Sequence, residues 1–320
     1  MSLNMGKTAG FSAFACLAIC LAVGQGSAYA QHANNEQGLT FVAKVPLLNC
    51  DGTPCIEARI GEGKPVRLVI DTGDEDTVLD TKIAEVAGIK PTGPAAKGMP
   101  AGSYPARIAA LRIGELTLKD VDVTAMDFTD WLAKNQMPHA AGTLAYTVFK
   151  DRVLQLDFAA HQLRISDVLT GPVDCEESCD KFSLITFGKH GPPIVVAKGF
   201  EINGNSVTAQ IDTMYTGSLL VYNASIGKLG LGDSAKTTET RQFAFTDGGV
   251  TMKAALAKRE SFRGVPLGDV KPKVYFPTPG VHEPDGLFDA TVGLELFSDT
   301  ILTLDFHNMN IFLQKVKRAG

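Results

Sequence analysis

One pattern occurs twice in this 320-residue chain and constrains its fold more than any other feature. Residues 142–158 read Gly-Thr-Leu-Ala-Tyr-Thr-Val-Phe-Lys-Asp-Arg-Val-Leu-Gln-Leu-Asp-Phe. Residues 290–306 read Ala-Thr-Val-Gly-Leu-Glu-Leu-Phe-Ser-Asp-Thr-Ile-Leu-Thr-Leu-Asp-Phe. Aligned without a gap, Thr143, Phe149 and Asp151 fall on Thr291, Phe297 and Asp299. Leu154, Leu156, Asp157 and Phe158 fall on Leu302, Leu304, Asp305 and Phe306. Several other positions exchange one apolar residue for another. Such a repeat implies two similar halves.

A second pair of matching stretches lies upstream of the two copies, at similar separations. Val66-Arg67-Leu68-Val69-Ile70 runs into Asp71-Thr72-Gly73, and Val207-Thr208-Ala209-Gln210-Ile211 runs into Asp212-Thr213-Met214. Each reads as a buried strand, a tight loop carrying one carboxylate, and a return strand, Thr77-Val78-Leu79 in the first copy and Leu219-Leu220-Val221 in the second. A carboxylate at the end of a buried strand is costly unless it is hydrogen-bonded or shares a proton with a partner. Gly73 allows another backbone to approach closely.

Between these landmarks the chain reads as short strands and turns, so the fold class is all-β. Phe41–Leu48 is a strand, Asp51-Gly52 a hairpin turn, and Ile56–Ile60 the return strand. Asp80–Gly88 reads as a short helix. Pro91–Pro105, rich in Pro, Gly and Ala, reads as a surface loop. Ile108–Val123 gives two strands around Gly114, and Asn203-Gly204-Asn205 is a hairpin turn into the second Asp strand. Gln242–Met252 alternates weakly around Asp247-Gly248-Gly249.

The composition, 45% apolar and 20% charged, is that of a globular protein. A net charge of −5 and the lack of a basic stripe with interleaved aromatics argue against nucleic acid as a partner. The histidines His32, His139, His161, His190, His282 and His307 are scattered without metal-ligand spacing, so no metal and no cofactor are expected. Gly-x-Ser-x-Gly, a complete phosphate loop and the dinucleotide glycine pattern are all missing.

Residues 1–30 read as a secretory signal: Lys7, an apolar run from Phe11 to Val23, and Ala28-Tyr29-Ala30 before a cleavage point at Gln31. The rival is an uncleaved anchor, for which the apolar run is short. The expectation is an exported chain, periplasmic or secreted, with no membrane attachment after cleavage. Cys50, Cys55, Cys175 and Cys179 then read as disulfide candidates, paired locally as Cys50–Cys55 and Cys175–Cys179, although three connectivities are open.

The order loop-then-block, occurring twice, resembles the two-lobed aspartic proteases of the retropepsin-like and pepsin-like kind. Each block keeps one glycine of that family's Gly-x-x-Gly spacing, Gly142 in the first and Gly293 in the second. The resemblance implies two β-barrel-like lobes about a pseudo-twofold axis, residues 31–170 and 185–320, with 171–184 as linker. It implies a monomer that takes an extended peptide or unfolded protein in the cleft. Asp71 and Asp212 would be the catalytic pair activating a water, and Thr72, Gly73, Thr213 and Met214 would complete the active-site loops. A flap over the cleft would lie near Gly98–Tyr104, and Gln242–Met252 would be its counterpart.

Three residues depart from the family pattern: Met214 in place of the glycine, Asp74 after Gly73, and Tyr215 after Met214. They keep two other readings open. One is a catalytically degenerate module that binds peptide or protein without cutting. The other pairs the Asp71 loops of two chains and leaves the second lobe structural.

Overall fold

Runs of β-branched and apolar residues, punctuated by turns with Gly, Asn and Asp in left-handed conformations, give this chain its strands. A computed structural model describes residues 39–74, 76–95, 99–128, 140–169, 179–186, 193–245, 248–267, 272–277, 284 and 286–316. The expected signal at 1–30, Gly98, Cys175 and Asp247 lie outside the described residues. Among the described residues no helix is long and apolar enough to cross a membrane.

The first half forms a seven-stranded sheet. Its spatial order is Leu48–Cys50, Thr53–Ile60, Pro65–Ile70, Ala140–Leu144, Val78–Asp80, Leu116–Met126 and Tyr104–Ile113. Arg59 and Ile60 also pair with Arg112 and Leu111, so the last strand joins back to the second and the sheet closes into a barrel. The second half repeats the plan in the order Pro193–Ile202, Asn205–Ile211, Ala290–Val292, Leu219–Val221, Lys273–Phe276 and Gly248–Leu256. Even the strand directions agree. Pro65–Ile70 is parallel to Ala140–Leu144, as Asn205–Ile211 is to Ala290–Val292. Val78–Asp80 is parallel to Leu116–Met126, as Leu219–Val221 is to Lys273–Phe276. The fold is thus all-β, with two lobes of the aspartic-protease kind.

Between the lobes, six antiparallel strands run in the order Leu39–Pro46, Gln162–Leu169, Val153–Asp157, Thr300–Asp305, Asn310–Lys315 and Cys179–Thr186. At the centre the two copies of the sequence repeat pair with each other, Leu154 opposite Leu304 and Leu156 opposite Leu302. Gln155 lies opposite Thr303, its own counterpart in the repeat, and donates a 3.1 Å hydrogen bond to the threonine hydroxyl. The pseudo-twofold axis therefore passes through this pair. One apolar core runs through both lobes, from Ile56, Leu68 and Phe149 to Val195, Ile211 and Phe297.

Local expectations compare well with these elements. Asp51 and Gly52 adopt φ of 54° and 101° in the first hairpin turn, and Asn203 and Gly204 adopt 53° and 83° in the turn before the second Asp strand. The helix expected at Asp80–Gly88 is Thr81–Val86, capped by the Asp80 side chain, which accepts from Lys82 N at 2.9 Å. Cys50 and Cys55 are joined by a disulfide. Cys179, whose expected partner Cys175 lies outside the described residues, opens the strand Cys179–Thr186. The end of the expected linker is therefore sheet, because Cys179 and Asp180 pair with Phe312 and Ile311.

The flap expected near Gly98–Tyr104 begins at a residue outside the described ones. Ahead of the strand Tyr104–Ile113, Pro91 bridges to Ala106 and Thr92 N donates to Pro105 O at 2.9 Å. The strands Thr240–Phe245 and Gly248–Leu256 form the counterpart hairpin in the second lobe.

Candidate active site

The two carboxylate loops are held by the same hydrogen bonds. Asp71 follows the buried end of its strand, Leu68-Val69-Ile70, and its backbone N–H donates to Leu144 O at 2.9 Å. Asp212 does the same against Val292 O at 3.0 Å. Residues 142–144 and 290–292 of the repeated blocks thus lie behind the loops. Gly142 and Gly293 are needed for this: a Cβ at Gly142 would lie 3.0 Å from the carbonyl carbon of Val78, and one at Gly293 would overlap Tyr215. Within the first loop Asp71 Oδ1 accepts from the N–H groups of Gly73 and Asp74, both at 3.0 Å. Within the second Asp212 Oδ1 accepts from those of Met214 and Tyr215, at 2.8 and 2.9 Å.

Thr72 and Thr213 bind the loops to each other. The Thr72 hydroxyl donates to Ile211 O at 2.8 Å and accepts from Thr213 N at 3.2 Å. The Thr213 hydroxyl donates to Ile70 O at 2.6 Å and accepts from Thr72 N at 3.1 Å. Both side chains are buried, so each bond also satisfies a backbone group that would otherwise be stranded in the core. The two threonines thus brace the loops against each other.

The loops differ at the residue after the threonine. A Cβ on Gly73 would lie 2.7 Å from Asp212 Cβ and 2.8 Å from its Oδ1, so only glycine lets the first loop approach the second carboxylate. Met214, its counterpart, packs against a first-lobe cluster that includes Cys50, Cys55, Val69, Val78, Phe128 and Ala140. Its thioether is accommodated across the lobe boundary, where an unbranched flexible side chain can fill an irregular gap. Tyr215 is buried within a second-lobe cluster with Tyr222, Tyr275 and Phe288.

Electrostatics set the two carboxyls apart from ordinary ones. Burial pushes the Asp71 carboxyl well above the usual range, and the neighbouring Asp212 and Asp74 push it further, against the two N–H donors of its own loop. Burial also raises Asp212, opposed by the N–H groups of Tyr215 and Met214. Two such groups facing each other favour a state with one proton between them. The third carboxylate of the site, Asp74 in the first loop, adds a repulsion that raises Asp71. Among the described residues no group of three or more His, Cys, Asp or Glu side chains is arranged to hold a metal.

Gln210, Thr291 and Tyr222 are not among the site residues expected from the sequence, yet they are bonded to the first loop in a chain. Gln210, buried in the strand before Asp212, donates from Nε2 to the Gly73 carbonyl at 2.9 Å. Its Oε1 accepts from the Thr291 hydroxyl at 2.9 Å, which is bonded in turn to Tyr222 Oη at 2.9 Å. The available signal was a long amide in a run otherwise reading as core strand, since a buried polar group needs a partner.

A family model described as aspartyl protease matches residues 56–147, a span that holds the Asp71 loop and the start of the first repeated block and stops short of Asp212. No curated protein matches the chain. Among solved structures, that of edgp is similar with a TM-score of 0.51 and 10% identity, over 86% of this chain and 94% of that one. The crystal structure of the aspartic proteinase from Irpex lacteus aligns with a TM-score of 0.47 and 12% identity, over 86% of this chain and 97% of that one. In sequence over residues 56–147, and in fold over both lobes, this chain is aspartic-protease-like.

Proposed function

We propose that this protein is an exported aspartic endopeptidase, periplasmic or secreted, acting as a monomer on peptide or unfolded protein, with Asp71 and Asp212 as its catalytic pair. The observation that carries the reading is the reciprocal clamp: two carboxyls with raised pKa on loops locked together by Thr72 and Thr213. The lobe limits expected at 31–170 and 185–320 belong to the same reading.

The chemistry rests on one shared proton. Ionised Asp212 takes a proton from a water as its oxygen attacks the scissile carbonyl carbon. Protonated Asp71 gives its proton to the carbonyl oxygen, forming a neutral tetrahedral diol. Asp212 then passes the water-derived proton to the amide nitrogen, the C–N bond breaks, and Asp71 recovers a proton from a diol hydroxyl. The pair ends as it began, and neither a covalent intermediate nor a metal takes part.

The test is cleavage of an unfolded protein by residues 31–320, from acid to neutral pH, with Asp71→Asn and Asp212→Asn alongside. Each substitution is expected to lower kcat by about 10²–10⁴-fold, the usual contribution of a positioned acid or base. Binding of peptide without cleavage by the unsubstituted chain at every pH would replace this reading with that of a non-cutting module. Loss with Asp71→Asn alone would point to a site shared between two chains.

A further inference from the structure

The amide of Gln210 and the thioether of Met214 occupy related places. Counted from the two aspartates, Val69 is the counterpart of Gln210 and Gly73 the counterpart of Met214. The strand registers agree, with Gln210 opposite Thr291 and Val69 opposite Thr143, the matching threonines of the repeat. Across the axis Gln210 reaches the carbonyl of Gly73, while Met214 packs against the cluster that contains Val69. The molecule thus crosses the same boundary twice in two chemistries: amide to glycine carbonyl on one side, thioether to the apolar cluster that contains Val69 on the other.

We propose that Gln210 is a positioning residue for the first carboxylate loop, a strut anchored on Thr291 and Tyr222, and that Met214 with Val69 is its apolar counterpart. This rests on the reading of Asp71 and Asp212 as the catalytic pair. Loop rigidity is the physical reason. Gly73 has no side chain to pack, and its carbonyl shares a peptide unit with the N–H of Asp74, one of the two that hold Asp71 Oδ1. A peptide fixed at its carbonyl by a buried amide holds that N–H in place. Gln210 keeps its own orientation because its oxygen is occupied by the Thr291 hydroxyl, and Thr291 by Tyr222. The second loop needs no such strut, since Met214 anchors it by packing.

Two exchanges test this. Gln210→Val copies Val69 and removes the strut. It is expected to lower kcat about tenfold or more with KM within about twofold, because a small misplacement of a reacting group costs rate rather than binding. Thr291→Val keeps the shape and removes the hydroxyl, and is expected to reproduce part of that loss, while Thr291→Ser restores the rate. The second readout is the titration of the aspartate carboxyls followed by carbon NMR, which needs no turnover. Asp212 and Asp74 are the charged groups that face Asp71 among the described residues. With the loop released, the N–H bonds that hold the Asp71 carboxyl down weaken, so the upper of the two apparent pKa values of the pair should rise. A folded Gln210→Val chain with unchanged kcat and unchanged titration overturns the proposal. If Gln210→Val does not fold, an unchanged kcat and titration in Thr291→Val does so equally. A chain that never cuts, but whose carboxyl titration moves with Gln210→Val, would end the protease reading and leave the strut standing.

Discussion

The two carboxylate loops share a backbone and differ in their surroundings. Both present an aspartate whose Oδ1 takes two N–H bonds, and both send a threonine hydroxyl into the other lobe. The first loop then has Gly73 pressed against Asp212 and Asp74 beside Asp71. The second has Met214 and Tyr215, both turned to apolar clusters. The lesson is that hydrogen-bonded geometry is duplicated while side-chain volume need not be. A missing glycine in the second loop is tolerable because its replacement finds room across the boundary.

Substitutions at the third loop position should break the comparison most strongly. Gly73→Ala drives a methyl into Asp212, so activity should fall at least about 100-fold, with a stability loss of about 1–3 kcal/mol from overpacking. Met214→Ala instead removes a partly buried packing group. Its cost should be about 1–2 kcal/mol in stability, toward the low end for such truncations, with activity reduced only severalfold. Kinetics and thermal unfolding on the two variants check both halves. Equal losses of activity would mean that Met214 contacts the reacting carboxyls after all.

The threonines should behave alike where their neighbours do not. Thr72→Val and Thr213→Val each remove a buried hydroxyl that donates to one carbonyl and accepts from one N–H. Each should cost about 2–3 kcal/mol, because the opposing backbone groups are left unpaired. Denaturant unfolding of the two single variants should give matching values. A difference larger than about 1 kcal/mol would show that the clamp is reciprocal in shape but not in energy.

The smallest effect sharpens the electrostatic side. Asp74 raises the Asp71 pKa, and its counterpart Tyr215 carries no charge in the second loop. Asp74→Asn removes that repulsion, so Asp71 gives up its proton at lower pH. The alkaline limb of the pH–rate profile should therefore move toward acid, with the acidic limb much less affected. A profile that does not move would place Asp74 outside the titration of the pair.

Much of this was legible in the chain because it is local or repeated. The turns at Asp51-Gly52 and Asn203-Gly204 needed only their own residues, since few other types accept those backbone angles. The two Ile-Asp-Thr loops and the paired blocks were visible as repeats, and a repeat implies a lobe with the same strand plan. The place of Met214 was not legible. Its identity announced a mismatch with Gly73, but the cluster that receives it is assembled from residues 50 to 140, in the other lobe.

The order of residues alone thus carries the duplicated β architecture, the two carboxylates and the threonines beside them, through hydrophobic alternation and short turn signals. Packing of the folded lobes settled the crossing of Thr72 with Ile211, the reach of Gln210 to Gly73, and the pairing of Gln155 with Thr303 at the axis. The reason is separation along the chain. Those partners lie 139, 137 and 148 residues apart. No local pattern encodes such a meeting, which exists only once both lobes have folded and packed.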